Sequence, residues 1–194
     1  MITLSQNSWI QYIPGTFLPT KAQQKELMEA RPTHPRLEIS MYGTTRTMPR
    51  DQRVYGHLYS FSKITLHPKE DEEIPALVKR CMDYANDQHP ATEPYNGALV
   101  NWYMNGNDSI SAHSDAEDAL VPDMPIYSFS FGATRDFVIR TKKGFAPRTE
   151  RFTLTHGTIV VMGGEMQKEY THEVPKTKHQ VGCRINVTVR AFRV

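Results

Sequence analysis

Arg184-Ile185-Asn186-Val187-Thr188-Val189-Arg190 alternates polar and apolar residues without a break. In an extended chain, positions two apart share a face. Ile185, Val187 and Val189 therefore form one side of a strand, and Arg184, Asn186, Thr188 and Arg190 form the other. The polar side has two readings. It is a solvated outer face, or it is a carboxylate receptor, since the planar donor fork of arginine matches a carboxylate at two points.

Working back from this strand, residues 98–104, 126–131, 136–141, 152–154 and 158–162 are short runs rich in β-formers, separated by Gly, Pro, Asn and Asp. The second of them alternates in the same way, with Tyr127, Phe129 and Phe131 opposite Ser128 and Ser130. Two helices are expected before the series. One starts where Thr20 caps and Gln23 reciprocates, and runs to about Arg31 before Pro32. The other covers 73–86, with Ile74, Leu77, Val78, Cys81 and Ala85 at helical spacing. Helices followed by many short strands predict a mainly β protein, an antiparallel sandwich or barrel with helices packed outside.

The 194 residues suit one domain spanning 1–194, and no repeat or linker divides them. A formal charge of +2 permits a nucleic-acid partner without demanding one. Cys81 and Cys183 lie far apart and read as reduced thiols of an intracellular protein, cytoplasmic or nuclear. Neither a secretory leader nor an apolar run of the about 20 residues that a membrane helix needs is present, so no membrane partner is expected.

His113-Ser114-Asp115 follows the 98–104 run and the turn-like Asn105-Gly106-Asn107-Asp108. In extended chain the imidazole and carboxylate share a face and can converge on one ion, with a third ligand supplied from elsewhere. His172, in the strand-like 168–175 run, is the candidate. Two histidines and one carboxylate leave open positions that suit iron(II) and a bidentate co-substrate, whereas zinc prefers four-coordination. A zinc hydrolase on the same three residues is the rival.

The order of these features resembles the AlkB family of 2-oxoglutarate/iron dioxygenases, in its nucleic-acid-repair branch. Asn101-Trp102-Tyr103 resembles its Asn-x-Tyr, His113-Ser114-Asp115 its proximal metal motif, and residues 130–137 its Ser-Phe-Gly-Ala-x-Arg-x-Phe segment. His172-Glu173-Val174-Pro175 resembles the distal His-x-x-Pro, and the final strand the Arg-x-Asn-x-Thr-x-Arg signature. Upstream, residues 49–56 resemble the Pro-Arg…Tyr-Gly stretch of a nucleotide-recognition lid.

The resemblance implies a double-stranded β-helix (jelly-roll) core under an N-terminal lid, roughly 40–60. It implies that His113, Asp115 and His172 hold Fe(II), with O2 as oxidant. Arg184, Asn101 and Tyr103 would hold 2-oxoglutarate, with Asn186, Thr188 and Arg190 nearby. The implied reaction oxidises alkyl groups off bases of the 1-methyladenine or 3-methylcytosine type, in DNA before RNA, with succinate as co-product and the enzyme acting as a monomer. A family-fold hydroxylase of a non-nucleic-acid target is the other alternative. Tyr42, Arg50, Tyr55, Glu117 and Arg135 are the expected substrate contacts, Tyr55 as a wall for the flipped base, Glu117 facing a cationic lesion and Tyr42 filling the gap in a duplex. Arg46, Arg50 and Arg53 interleave with Tyr42 and Tyr55 as a phosphate- and base-contacting pattern. Ala116 stands where close repair relatives often have an acidic residue, so the lesion preference is left open.

Overall fold

A computed structural model describes residues 1–41, 44–61, 64–90, 93–115 and 118–193. Two strands precede the first helix: β1 (Ile2–Thr3) and β2 (Ser8–Ile13). After α1 (Lys21–Glu29) come β3 (Glu38–Met41), β4 (Thr44–Thr47), β5 (Asp51–Tyr55), β6 (Tyr59–Phe61) and β7 (Ile64–Leu66). Then follow α2 (Ala76–Gln88), β8 (Gly97–Tyr103), β9 (Ile110–His113), β10 (Ile126–Gly132) and β11 (Arg135–Thr141). The chain finishes with β12 (Thr149–Leu154), β13 (Thr158–Gly164), α3 (Met166–Glu169), β14 (Tyr170–Val174) and β15 (Arg184–Arg190).

The main sheet has the order β1-β2-β13-β10-β15-β8-β5, and a smaller one the order β12-β11-β14-β9. Their inner faces meet through a shared apolar layer. Ile126, Val160 and Met162 come from the main sheet; Phe137, Ile139, Leu154 and Val174 come from the smaller one. This is the expected jelly-roll. α1 and α2 pack on the outer face of the main sheet. There Leu77, Val78, Cys81 and Ala85, all fully buried, meet Val100, Trp102, Phe129, Val187 and Val189. A fully buried Leu or Val contributes about 1.5–3 kcal/mol, so the apolar stripe fixes α2 more firmly than its own helix propensity does.

Both helices start close to the sequence reading, for identifiable reasons. At α1 the capping box is closed in both directions, Thr20 Oγ1 accepting from the Gln23 amide and Gln23 Oε1 accepting from the Thr20 amide. At α2 the break comes at Pro75, later than 73, and the Glu26 carboxylate of α1 accepts from the Ala76 amide. The expectation that helices lead the chain is corrected by β1 and β2. β2 pairs with β13, so the sheet extends through a partner about 150 residues away in sequence.

Alternation in the main sheet positions the site. On β10, Tyr127, Phe129 and Phe131 face the helices, while Ser128 and Ser130 face the interior and are also buried. On β15, Ile185, Val187 and Val189 face the helices, and Arg184, Asn186, Thr188 and Arg190 are all buried on the inner side. The solvated-face reading of this strand is thereby set aside. Where β10 ends, Gly132 has φ +85°, and a Cβ there would meet the Cys183 carbonyl oxygen at 2.3 Å. Only glycine suits this position, which lies opposite Arg184 in the ladder.

Candidate active site

β9 delivers His113, and β14 sets His172 directly opposite it in the register. Asp115 lies two residues beyond His113, past the end of the strand. The His113 and His172 Nε2 atoms each stand 3.9 Å from an oxygen of the Asp115 carboxylate, and the two rings are 4.3 Å apart between centroids. These separations are too long for hydrogen bonds. The three side chains surround a common point, with one ligand atom from each lying within 4.8 Å of the others.

Asp115 Oδ2 is buried without a hydrogen-bond partner among the described residues. Its other oxygen is held by Arg190 Nη2 at 2.9 Å and by the Tyr59 hydroxyl at 3.2 Å. His113 Nδ1 lies 2.8 Å from the Ser111 carbonyl oxygen, which places the proton on that nitrogen and the lone pair on Nε2. Burial, followed by the neighbouring His113, pushes His172 down to about 3. Burial likewise lowers His113, against the pull of Asp115. Burial alone would raise Asp115, but Arg190 and the two histidines override it and hold the carboxyl below the usual range. Neutral imidazoles beside an ionised carboxylate are the forms that ligate a metal.

The triad opens into a cavity of about 440 Å³ whose wall carries the whole polar row of β15. Arg184 is 1% exposed, and its Nη2 donates to Ser130 Oγ at 2.9 Å. Its Nε and Nη1 are buried with no acceptor among the described residues. An arginine left with two unsatisfied donors in a cavity wall fits an anionic ligand that supplies them. Tyr103 packs beside it, 5.0 Å from guanidinium carbon to ring centroid. Asn186 donates to Ser128 Oγ and the Phe129 carbonyl, and Thr188 Oγ1 donates to Asn186 Oδ1. Those two residues order the row rather than offering free donors.

Arg50 and Asn101 also line the cavity, with Arg50 Nε and Gln52 Nε2 each donating to Asn101 Oδ1 at 2.9 Å. Two expected substrate contacts stand elsewhere. Tyr55 is 2% exposed and packs into the helix-facing core, because on β5 it has the opposite parity to the cavity-lining Arg50 and Gln52. Arg135 turns its guanidinium to the Asn105, Asp108 and Pro175 carbonyls, tying loops together outside the cavity. Of the arginines read as a phosphate-tracking set, Arg53 is engaged by Glu72 at 2.7 Å and Arg50 is buried, leaving Arg46 exposed. Tyr42, Ala116 and Glu117 lie outside the described residues.

The sequence reading missed Tyr59 and Phe61, aromatic neighbours 5.7 Å apart on the cavity wall. Continuing past Tyr55 to the Tyr-x-Phe at 59–61 was the available signal. It also missed the Arg190–Asp115 pair, since it grouped Arg190 with the 2-oxoglutarate residues.

A jelly-roll that presents two histidines and a carboxylate beside a buried, under-coordinated arginine is the layout of a metal-dependent oxygenase with an anionic co-substrate. The model of the 2OG-Fe(II) oxygenase superfamily matches residues 10–190. Human "DNA oxidative demethylase ALKBH2" is 36% identical over 161 residues, 78% of this chain and 60% of that protein. Bovine "Alpha-ketoglutarate-dependent dioxygenase alkB homolog 3" is 37% identical over 154 residues, 75% of this chain and 52% of that protein. The chain belongs to the 2OG-Fe(II) oxygenase superfamily and, with these relatives, to its AlkB family. It spans a little over half the length of the two relatives named. The solved chain titled "The structure of OsALKBH1" shares the fold, with a TM-score of 0.62 and 16% identity, covering 97% of this chain and 98% of that one. The family's Fe(II), 2-oxoglutarate and O2 fit the donors found here: two imidazoles and a carboxylate for the metal. No helix among the described residues is long and apolar enough to cross a membrane.

Proposed function

We propose that this chain is an Fe(II)- and 2-oxoglutarate-dependent dioxygenase that oxidatively removes alkyl groups from the ring nitrogens of nucleobases, with DNA as the preferred carrier. The observation that carries this reading is the pairing of the triad with Arg184, whose Nε and Nη1 have no acceptor among the described residues. Bound Fe(II), 2-oxoglutarate and O2 supply the oxidising power, leaving succinate and CO2 and a hydroxylated alkyl carbon that departs as an aldehyde. The names of the relatives support the substrate class.

The chain's own residues bind and orient. His113, Asp115 and His172 hold the metal, and Arg190 keeps the Asp115 carboxylate ionised and fixed through one oxygen. Arg184 pairs with the distal carboxylate of 2-oxoglutarate, while Tyr103 and Asn101 line its pocket. Tyr59 and Phe61 take the role first given to Tyr55, a wall for a flipped base, because both border the cavity that contains the triad. Ile39, Met48 and Pro49 border the same cavity and support reading roughly 40–60 as its lid. Tyr42 and Glu117 stay as substrate-contact proposals from the sequence. We treat 1–194 as one catalytic unit acting as a monomer in the cytoplasm or nucleus; the two unpaired cysteines suit a reducing compartment.

The test is anaerobic loading with Fe(II), then 2-oxoglutarate and O2 with oligonucleotides carrying 1-methyladenine or 3-methylcytosine. Single- and double-stranded DNA and RNA are compared. Repair of DNA ahead of RNA, dependent on both iron and 2-oxoglutarate, is the expected result. Zinc-supported turnover without succinate would instead select the hydrolase.

A further inference from the structure

We propose that Gln167 and Lys142 are positioning residues that hold the His113-Ser114-Asp115 turn in the geometry in which its ligands meet His172. The inference rests on the metal reading above. Its starting point is a weakness in the scaffold. β9 lies at the edge of the smaller sheet and, among the described residues, pairs only with β14, at His113 and Ile110 with an irregularity between them. The strand ends at His113. Asp115 is thus a ligand two residues beyond the last ladder position, and among the described residues no β-pairing fixes its backbone.

The backbone is fixed by a side chain instead. The Asp115 amide donates to Gln167 Oε1 at 2.9 Å. Lys142 Nζ then donates both to Ser114 Oγ at 2.8 Å and to the Gln167 backbone carbonyl at 2.7 Å. The Lys142 amide donates to the Glu169 carbonyl at 2.8 Å, closing a bracket between the end of β11 and the α3 turn. Every amino acid of the metal turn is therefore gripped: His113 through Nδ1, Ser114 through its hydroxyl and Asp115 through its amide.

The sequence reads 168–175 as a strand, whereas the chain makes the helical turn α3 before β14 begins at Tyr170. That turn carries Gln167 to the metal turn, while His172 follows five residues later on the strand. One short segment thereby supplies a ligand and the support for another. The Asp115 carboxylate itself is steered by Arg190 and Tyr59. With the amide held as well, the side chain has little freedom except to present Oδ2 to the metal.

What matters in Gln167 is an acceptor oxygen, and what matters in Lys142 is a charged donor. The experiment separates these from bulk. Apo protein is titrated anaerobically with Co(II) in the presence of 2-oxoglutarate, read by the d–d absorbance of the bound ion, and the thermal midpoint of each apo variant is recorded. Gln167→Met and Lys142→Met keep the volume and remove the acceptor or donor. Each is expected to weaken Co(II) binding by about 10-fold or more, the usual range for groups that orient metal ligands. Apo midpoints should stay near wild type. Gln167→Glu and Lys142→Arg retain the acceptor and the donor and should restore binding to within about threefold. The double methionine variant should be little worse than the poorer single one, since the two groups act through one bracket. Wild-type affinity in both methionine variants, or equal losses in the Glu and Arg variants, overturns the proposal. Failure of the wild-type protein itself to bind Co(II) overturns the metal reading, and the bracket with it.

Discussion

Replacing Arg184 with methionine should move two measurements in opposite directions. The side chain is 1% exposed, and its Nε and Nη1 have no acceptor among the described residues. Burial lowers its pKa, opposed mainly by Tyr103. In the apo protein this is a charge kept in a low-dielectric wall, with a hydrogen bond to Ser130 and two donors that lack an acceptor among the described residues. Removing it costs that bond, about 1–3 kcal/mol, and recovers the desolvation of an uncompensated ion, which is several kcal/mol. The apo thermal midpoint should therefore hold or rise, at roughly 2–4 °C per kcal/mol for a chain of this size. For 2-oxoglutarate the sign reverses. A buried carboxylate deprived of its partner loses about 3–5 kcal/mol. We take the lower end, because Asn101 and Tyr103 still line the pocket, and expect affinity to fall roughly 100-fold. Calorimetric titration of 2-oxoglutarate into the anaerobic Fe(II) protein gives the affinity, and thermal unfolding of the apo protein gives the stability. Affinity within about twofold of wild type would show that another residue receives the distal carboxylate. A large drop in the apo midpoint would refute the claim that Arg184 is uncompensated.

Arg190→Met makes the contrast, since it strips the buried Asp115 of its ion-pair partner; a stability loss of about 3–5 kcal/mol by denaturant unfolding is expected, and no loss would detach Arg190 from Asp115. His113→Ala, Asp115→Ala and His172→Ala should each abolish Co(II) or Fe(II) binding and turnover, and near-wild-type metal affinity in any one removes that residue from the ligand set. Phe61→Ala should raise the KM for methylated oligonucleotide by about 10-fold, within the 1–3 kcal/mol of a base–aromatic stack, while metal and 2-oxoglutarate affinities stay put. An unchanged KM would return the base wall to other residues. Cys81, fully buried with a thiol pushed well up by burial, should react with thiol reagents only on unfolding, whereas rapid labelling of the native protein would contradict its place in the core.

The sequence was most readable where one local period decided the outcome. β15 and β10 alternate strictly, so their two faces could be sorted before any partner was known. Which face points inward could not be sorted that way, because burial on both sides comes from packing against helices on one flank and the second sheet on the other. β2 went unread for a related reason: its partner β13 is distant in sequence, and its own six residues bury only Ser8 and Ile10. The triad could be assembled from order along the chain because imidazole and carboxylate are the chemistry of the site. Tyr55 is misleading because its place in a lid motif does not show that it has the opposite parity on β5 to the cavity-lining Gln52. Arg135 misled because an arginine in a matching motif can serve backbone carbonyls as well as a substrate. Gln167 and Lys142 carry no motif of their own, and they matter only through a helical turn that the 168–175 pattern concealed.

Product stoichiometry tests the central claim most directly. The Fe(II)-loaded protein is given O2, 2-oxoglutarate and an oligonucleotide with one 1-methyladenine or 3-methylcytosine, and succinate, formaldehyde and restored base are counted in the same reaction. The three are expected in equal amounts, all lost in Asp115→Ala. Base restored without succinate, or succinate formed at the same rate without any change in the methylated base, would rule out coupled oxidative demethylation.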